Sequence, residues 1–313
     1  MMDTLALRVA ERDLLSPTLL RLRLTSANAN KLPSVTPGSH LVLDLPVKDG
    51  ARRNAYSITQ AGKGGTFYEI IVRHSPTSRG GSAFVHKELT VDSILNASCP
   101  SNFLALESTA KKILLIGGGV GVTPLLALAR ARMERGETLE FHQFCTPEEK
   151  PVFESLLAPF GQGVACVHAG RNALDFQTLF RRQPLGTYIY TCGPNAMMER
   201  VLTEATAMGW PERRIHQESF GAGGGNPFTV TLARTGGTIP VAEDQTLLDA
   251  LESADVPITS LCRGGACGMC RTPVLAGTPE HRDHFLSADE KASGRWIMPC
   301  VSRAHGACLT LDL

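Results

Sequence analysis

The sequence predicts a multidomain chain of three modules: an antiparallel β-barrel, an α/β domain on a parallel sheet, and a small α+β domain. Three observations carry this. Residues 1–106 offer several short strands with no long helix between them. Residues 107–222 alternate apolar strands with helices behind a glycine loop. A glycine-rich stretch, taken as a linker over 223–227, then leads to a hairpin, a short helix and a crowded set of cysteines in 228–313. At 313 residues the chain is too long for one ordinary core and suits two or three domains of roughly 100 to 150 residues each.

In the first module, Leu5–Val9 and Leu19–Leu24 alternate apolar and polar residues as half-buried strands do. Ser39–Leu45 and Phe67–Arg73 continue the set, separated by turns at Pro33-Ser34 and Ala61–Gly65. Two stretches add chemistry. Arg53-Asn54-Ala55-Tyr56-Ser57 puts an aromatic ring and a hydroxyl side by side on a strand, suited to the face and N5 edge of a flavin. Ser78-Arg79-Gly80-Gly81-Ser82 opens a helical segment, Ala83–Leu89, with Ser82 as the expected N-cap. A glycine turn at a helix start with an arginine beside it is an anion site, and phosphate is the obvious guest.

The second module opens with the apolar strand Lys111–Ile116, then Gly117-Gly118-Gly119-Val120-Gly121-Val122-Thr123-Pro124 and a helix to about Arg135. Thr123 is the expected N-cap, Pro124 the first helical residue, and Gly136 the stop. Strand, glycine loop and helix start make a cradle for a pyrophosphate. The alternation continues through strands 139–145, 163–168 and 187–191 and helices 152–160, 176–182 and 196–208, giving an open parallel sheet with helices on both faces. The turn Thr191-Cys192-Gly193-Pro194 falls at the carboxyl end of a strand, where such sheets bind ligands. Glu148 and Glu149 follow the second strand, where a nucleotide 2'-phosphate would need cations, so NADH is expected over NADPH. They serve equally as a solvated helix start.

Gly221-Ala222-Gly223-Gly224-Gly225-Asn226-Pro227 is the clearest boundary, and its composition is that of a flexible coil. Beyond it, Phe228–Leu232 and Thr238–Ala242 read as a hairpin and Leu247–Ala254 as a helix. Then comes Cys262-Arg263-Gly264-Gly265-Ala266-Cys267-Gly268-Met269-Cys270, with Cys300 far downstream in Met298-Pro299-Cys300. Three cysteines at C-x4-C-x2-C and a distant fourth match the plant-type [2Fe-2S] spacing. Structural zinc uses two short C-x2-4-C knuckles instead. A disulfide framework is disfavoured by the absence of a signal peptide and by nine cysteines, an odd count. Cys308 also lies downstream; Cys300 is taken as the fourth ligand and Cys308 as a buried thiol of the terminal strand.

Formal charges nearly cancel at +1, so nothing global argues for nucleic acid or a membrane surface as partner. The longest apolar stretch, 113–129, is interrupted by four glycines and a proline, and reads as strand, loop and helix. Cysteine usage points to a reducing cytoplasm.

The cysteine loop, Arg79-Gly80-Gly81-Ser82 and Tyr56-Ser57 together resemble the phthalate dioxygenase reductase family, over nearly the whole chain and in module order. That resemblance implies a ferredoxin-like third domain and FMN rather than FAD, held by Arg53, Tyr56, Ser57, Arg79, Gly80, Gly81 and Ser82. Its Arg-x-Tyr-Ser motif has Asn54 here in place of the first arginine. The resemblance further implies that Cys192, with Gly193 and Pro194, approaches the nicotinamide and that Phe220 lies at the flavin. Electrons would pass from NADH through FMN and a [2Fe-2S] cluster to a Rieske-type oxygenase. A different class of function leaves the flavin reductase serving another acceptor, with the third module as a docking or sensing domain.

Overall fold

The computed structural model describes residues 4–47, 50–75, 80–170, 172–220 and 224–313. Arg79 and Gly221–Gly223 therefore lie outside the described residues. The fold divides into two compact units, Met1–Glu218 and Ser219–Leu313.

The first unit opens with β1 (Thr4–Ser16), β2 (Leu19–Ser26), β3 (Ser39–Val47), β4 (Gly50–Ala61), β5 (Tyr68–Arg73), helix α1 (Gly81–Lys87), β6 (Ile94–Ser98) and β7 (Ser101–Asn102). The antiparallel order β4-β5-β2-β1-β6-β3 closes on itself because β3 also pairs with β4, and β7 adds to β3. This is a six-stranded barrel. Side-chain alternation decides its inside: Leu20, Leu22 and Leu24 are buried in its core with Leu41, Leu43 and Leu45. Arg21 and Arg23 of the same strand point out and pair with Asp13 and Glu11 across β1.

The unit continues with β8 (Lys112–Gly118), α2 (Val122–Glu134), β9 (Thr138–Cys145), α3 (Lys150–Leu157), β10 (Ala165–Ala169), α4 (Phe176–Arg181), β11 (Thr187–Cys192), α5 (Asn195–Ala207) and β12 (Ile215–Glu218). All pairings in the sheet β10-β9-β8-β11-β12 are parallel. The strand order reverses beside β8, so the ligand crevice falls outside the carboxyl ends of β8 and β11. Strand β12 was not expected; it is a short edge strand whose half-exposed Ile-His-Gln-Glu sequence carries no apolar run.

Both expected N-caps are corrected. Helix α2 starts at Val122, and the turn Gly119–Gly121 before it is already helical. Thr123 thus lies within the helix and donates to the Val120 carbonyl at 2.9 Å. Helix α1 starts at Gly81 after Gly80, whose φ of 99° is glycine territory. Ser82 lies inside it and accepts from the Ser75 amide. Gly136 follows α2 at φ 66°, as a C-terminal stop.

Barrel and sheet share one core. Leu19 and Ile71 on the outside of the barrel pack with Val122, Leu125 and Ala129 of α2. A polar clasp sits beside them. Buried Glu69 of β5 accepts from the Thr59 hydroxyl at 2.7 Å and from Arg130 of α2 at 3.2 Å, and Arg130 also donates to the Thr59 carbonyl at 2.7 Å.

The second unit comprises β13 (Phe228–Leu232), β14 (Thr238–Val241), α6 (Leu247–Ser253), β15 (Thr272–Ala276), β16 (Pro279–Glu280), α7 (Ala288–Ser293), β17 (Trp296–Ile297), β18 (Arg303–Ala304) and β19 (Cys308–Leu311). Its main sheet runs β14-β13-β19-β15-β17, with β13 and β19 parallel. Alternation along β19 turns Leu309 and Leu311 into the core and leaves Cys308 exposed. The expectation of a buried Cys308 thiol is corrected accordingly. Among the described residues no helix is long and apolar enough to cross a membrane.

Replacing Arg130 with Met leaves the Glu69 carboxylate buried with one partner fewer, and should lower unfolding stability by about 2–3 kcal/mol. Adding Glu69→Gln removes the stranded charge and should recover more than half, read as urea midpoints of the full chain.

Candidate functional site

At the carboxyl edge of the sheet, the two loops singled out from sequence meet. A Cβ on Gly121 would lie 2.1 Å from the Cys192 carbonyl oxygen, and one on Gly118 would strike Pro194 and Met197. Gly193 takes φ 156° with its own missing Cβ 2.9 Å from Gly118. The glycines are there because the loops touch. Gly117 faces Gln143, whose side-chain amide donates to the Gly119 carbonyl at 2.8 Å. Gly119 stands at φ 52°, and a Cβ there would reach within 2.8 Å of the Arg73 guanidinium from the barrel. Arg73 pairs with Glu149 at 2.8 Å. Gln143 and Arg73 escaped the sequence reading because nothing local marks them; only the fold brings them to the loop.

Ser57 of β4 is 4% exposed, and its hydroxyl has no hydrogen-bond partner among the described residues. Opposite it in register stands His40 of β3, buried beside Phe103 and 4.0 Å from the Glu218 carboxylate. Glu218 is in turn the register partner of Cys192. Ser57 and Cys192, one from each domain, are thereby joined through His40 and Glu218. Cys192 is fully buried, and burial, aided by the Glu218 charge, pushes its thiol well above the ordinary value. It stays protonated.

The two barrel motifs also come together. A Cβ on Gly81 would lie 2.5 Å from the Asn54 amide, which donates to the Tyr56 hydroxyl at 3.3 Å. Burial pushes Tyr56 up to about 12, against the Asn54 bond that lowers it. Arg53 lies on the opposite face of β4 and pairs with Asp44 at 3.1 Å. Asn54, the departure from the family pattern, is what links the motifs. Phe220 belongs to the second unit and is 45% exposed.

In the second unit Cys262, Cys270 and Cys300 are buried and Cys267 is partly exposed. The Cys270 and Cys300 sulfurs lie 3.4 Å apart. Cys262 accepts from the Gly264 and Ala266 amides at 3.4 Å, and Cys267 from Met269 at 3.5 Å. Hydrogen bonding with Cys267 holds Cys262 below the ordinary thiol value, and that with Cys300 lowers Cys270. Cys267 and Cys300 are pushed up, each first by its bond with Cys262. A two-iron cluster spreads four thiolates over two metals. Arg263, left-handed at φ 53°, ties the loop to α6 through Asp249 at 2.7 Å and Glu252 at 2.7 Å.

Residues 230–305 match the 2Fe-2S iron-sulfur cluster binding domain, and residues 96–215 match the N-terminal domain of the dimethylamine monooxygenase subunit DmmA-like family. The chain is similar to phthalate dioxygenase reductase of Burkholderia cepacia, 32% identical with 99% of this chain and 97% of that one covered. The chain belongs to the phthalate dioxygenase reductase family. The fold agrees: a solved phthalate dioxygenase reductase, described as a modular structure for electron transfer from pyridine nucleotides to [2Fe-2S], superposes with a TM-score of 0.81 at 32% identity, covering 99% and 98% of the two chains. The heme-dependent oxidative N-demethylase beta subunit of Ectopseudomonas mendocina is 41% identical over the full length of both chains. This reductase is therefore an electron-transferring oxidoreductase with an iron-sulfur domain. The residues present fit that group: four convergent thiols, and backbone amides already turned to two of the sulfurs. Cys300 lies within the matched domain segment and Cys308 outside it.

Replacing Cys300 with Ser should abolish the [2Fe-2S] absorption and EPR signals, while Cys308→Ser should leave both. An intact cluster in the Cys300 variant, with loss in the Cys308 variant, would reverse the assignment of the fourth ligand.

Proposed function

We propose that this reductase takes electrons from NADH onto FMN and delivers them through Cys262, Cys267, Cys270 and Cys300, holding a [2Fe-2S] cluster, to a separate Rieske-type oxygenase in the cytoplasm. The observation that carries the flavin step is the buried Ser57 hydroxyl, which has no hydrogen-bond partner among the described residues. FMN, when bound, accepts the two electrons of a hydride together and releases them singly, as a one-electron cluster requires.

The chain's own groups position and tune. Ser57 offers its hydroxyl to the flavin edge, with Tyr56 held by Asn54. Gly80, Gly81 and Ser82, with Arg79, supply the phosphate turn. Gly117, Gly118, Gly119 and Gly121 cradle the pyrophosphate at the start of α2, which contains Thr123 and Pro124. Cys192, Gly193 and Pro194 border the nicotinamide; a neutral, buried thiol there is a contact surface, excluding water without acting as a nucleophile. Because Glu149 is already paired with Arg73, the preference for NADH falls mainly to exposed Glu148. Phe220, next in chain to these elements, is assigned to the flavin on family resemblance.

A second reading of the acceptor has its own support. The 41% identity to a heme-dependent oxidative N-demethylase subunit and the DmmA-like match favour an amine-oxidising partner that carries haem. Turnover with each class of purified oxygenase component separates the two.

The test of the core reading is anaerobic stopped flow with NADH. Flavin bleaching should be followed by bleaching of the cluster, and heat should release FMN without adenine. Ser57→Ala should slow flavin reduction roughly tenfold, the loss of one hydrogen bond of about 1.4 kcal/mol, with the KM for NADH unchanged. Recovery of FAD, or no reduction by NADH in the wild type, would overturn the assignment.

A further inference from the structure

The glycine turn proposed to take the flavin phosphate lies against one face of the β3–β4 pair, and register identifies that face. A Cβ on Gly81 would lie 2.5 Å from the Asn54 side-chain amide, and one on Gly80 would lie 3.4 Å from the Val47 side chain. The pairing of β3 with β4 runs without a bulge from His40 opposite Ser57, through Leu43 opposite Asn54 and Leu45 opposite Arg52, to Val47 opposite Gly50. Residues directly opposite each other share a face, and so do alternate residues of one strand. Val47, Asn54 and Arg52 are therefore on one face, and Arg52 stands between the two points where the glycines approach it. Arg53, the arginine that the family resemblance offers, is on the other face. It pairs with Asp44, its own register partner, at 3.1 Å, so its charge is already met. Arg52 differs: its Nε is buried and has no hydrogen-bond partner among the described residues. A guanidinium N–H withdrawn from water without an acceptor is costly, and the acceptor that its planar fork fits best is a carboxylate or a phosphate.

We infer that Arg52, and not Arg53, is the arginine of β4 that binds the phosphate of FMN, acting with the Gly80-Gly81 turn. The inference rests on the flavin reading proposed above and names the residue that serves it. Asn54 occupies the position where the family motif has its first arginine, and here its amide packs on Gly81 and donates to Tyr56. The missing cation is restored two residues away, about 7 Å along the same strand face, a gap that a long arginine side chain bridges. One residue away would not serve, because alternation turns that side chain to the opposite face. The neutral amide thus keeps the turn seated, while Arg52 brings the charge that a phosphate monoester requires.

The test titrates the full-length protein, stripped of flavin but with its cluster retained, with FMN and separately with riboflavin, which lacks the phosphate; quenching of flavin fluorescence gives each Kd. Arg52→Gln should raise the Kd for FMN roughly 10- to 100-fold, the scale of a hydrogen bond to a charged group. Its Kd for riboflavin should equal that of the wild type. Arg52→Lys, which keeps the charge but loses the fork, should fall between the two for FMN. Arg53→Gln should leave both constants unchanged. An FMN Kd unaltered in Arg52→Gln overturns the inference, as does a selective loss of FMN affinity in Arg53→Gln. Equal weakening of FMN and riboflavin in Arg52→Gln also overturns it, since the arginine would then support the barrel and not the phosphate. A wild type that binds neither flavin, or that takes up FAD in place of FMN, sinks the flavin reading itself, and that outcome is visible before any variant is made.

Discussion

Everything in the first unit depends on barrel and sheet being held as one body. Ser57 belongs to a strand whose hydrogen bonds are satisfied within the barrel, and Cys192 to one satisfied within the sheet. Neither module alone would place them together. What does so is the shared apolar core around Leu19, Ile71 and α2, with the Thr59–Glu69–Arg130 clasp beside it. Apolar packing is non-directional, so it supplies adhesion without register. The clasp supplies register, because a buried carboxylate tolerates only the geometry that keeps its donors in place.

The glycine loop shows the same economy at smaller scale. Its residues serve three separate needs: Gly121 and Gly118 allow backbone contact with the Cys192–Pro194 turn, Gly119 takes a left-handed φ, and Gly117 makes room for Gln143. Removing any one would push the two loops apart or strain the turn. The crevice at the carboxyl edge is thus defined by backbone atoms, which suits a ligand whose charge is met by amides and a helix start.

Much of this was legible in the sequence, for physical reasons that also mark the limit. Strand and helix periodicity gave the barrel and the alternating sheet, and the cysteine spacing gave the domain that holds them. Periodicity failed at β12, where a half-exposed edge strand has no apolar face to advertise. Residue preference misplaced the helix starts at Ser82 and Thr123, because a helical turn of glycines, or a glycine at positive φ, began each helix earlier without a side-chain cap. His40, Gln143 and Arg73 were invisible, since their partners Glu218, Gly119 and Glu149 are remote in sequence. Glycine was the most ambiguous letter: Gly221–Gly225 read as freedom, yet Gly225 is held between two guanidinium groups.

The cysteine loop shows how far the shape of a cluster site can be written into the backbone. The Gly264 and Ala266 amides point at the Cys262 sulfur and the Met269 amide at that of Cys267. The loop that bears them would spring open if held by sequence preference alone, because Arg263 sits in a left-handed conformation that costs an ordinary residue about 1 kcal/mol. Its guanidinium repays this by bridging Asp249 and Glu252 on α6. The strained residue is therefore also the anchored one. The loop, whose Gly264 and Ala266 amides turn toward Cys262, is held to α6 by these two ion pairs. A glycine would accept the same turn without strain, but only a side chain such as this arginine can also fasten it to a helix.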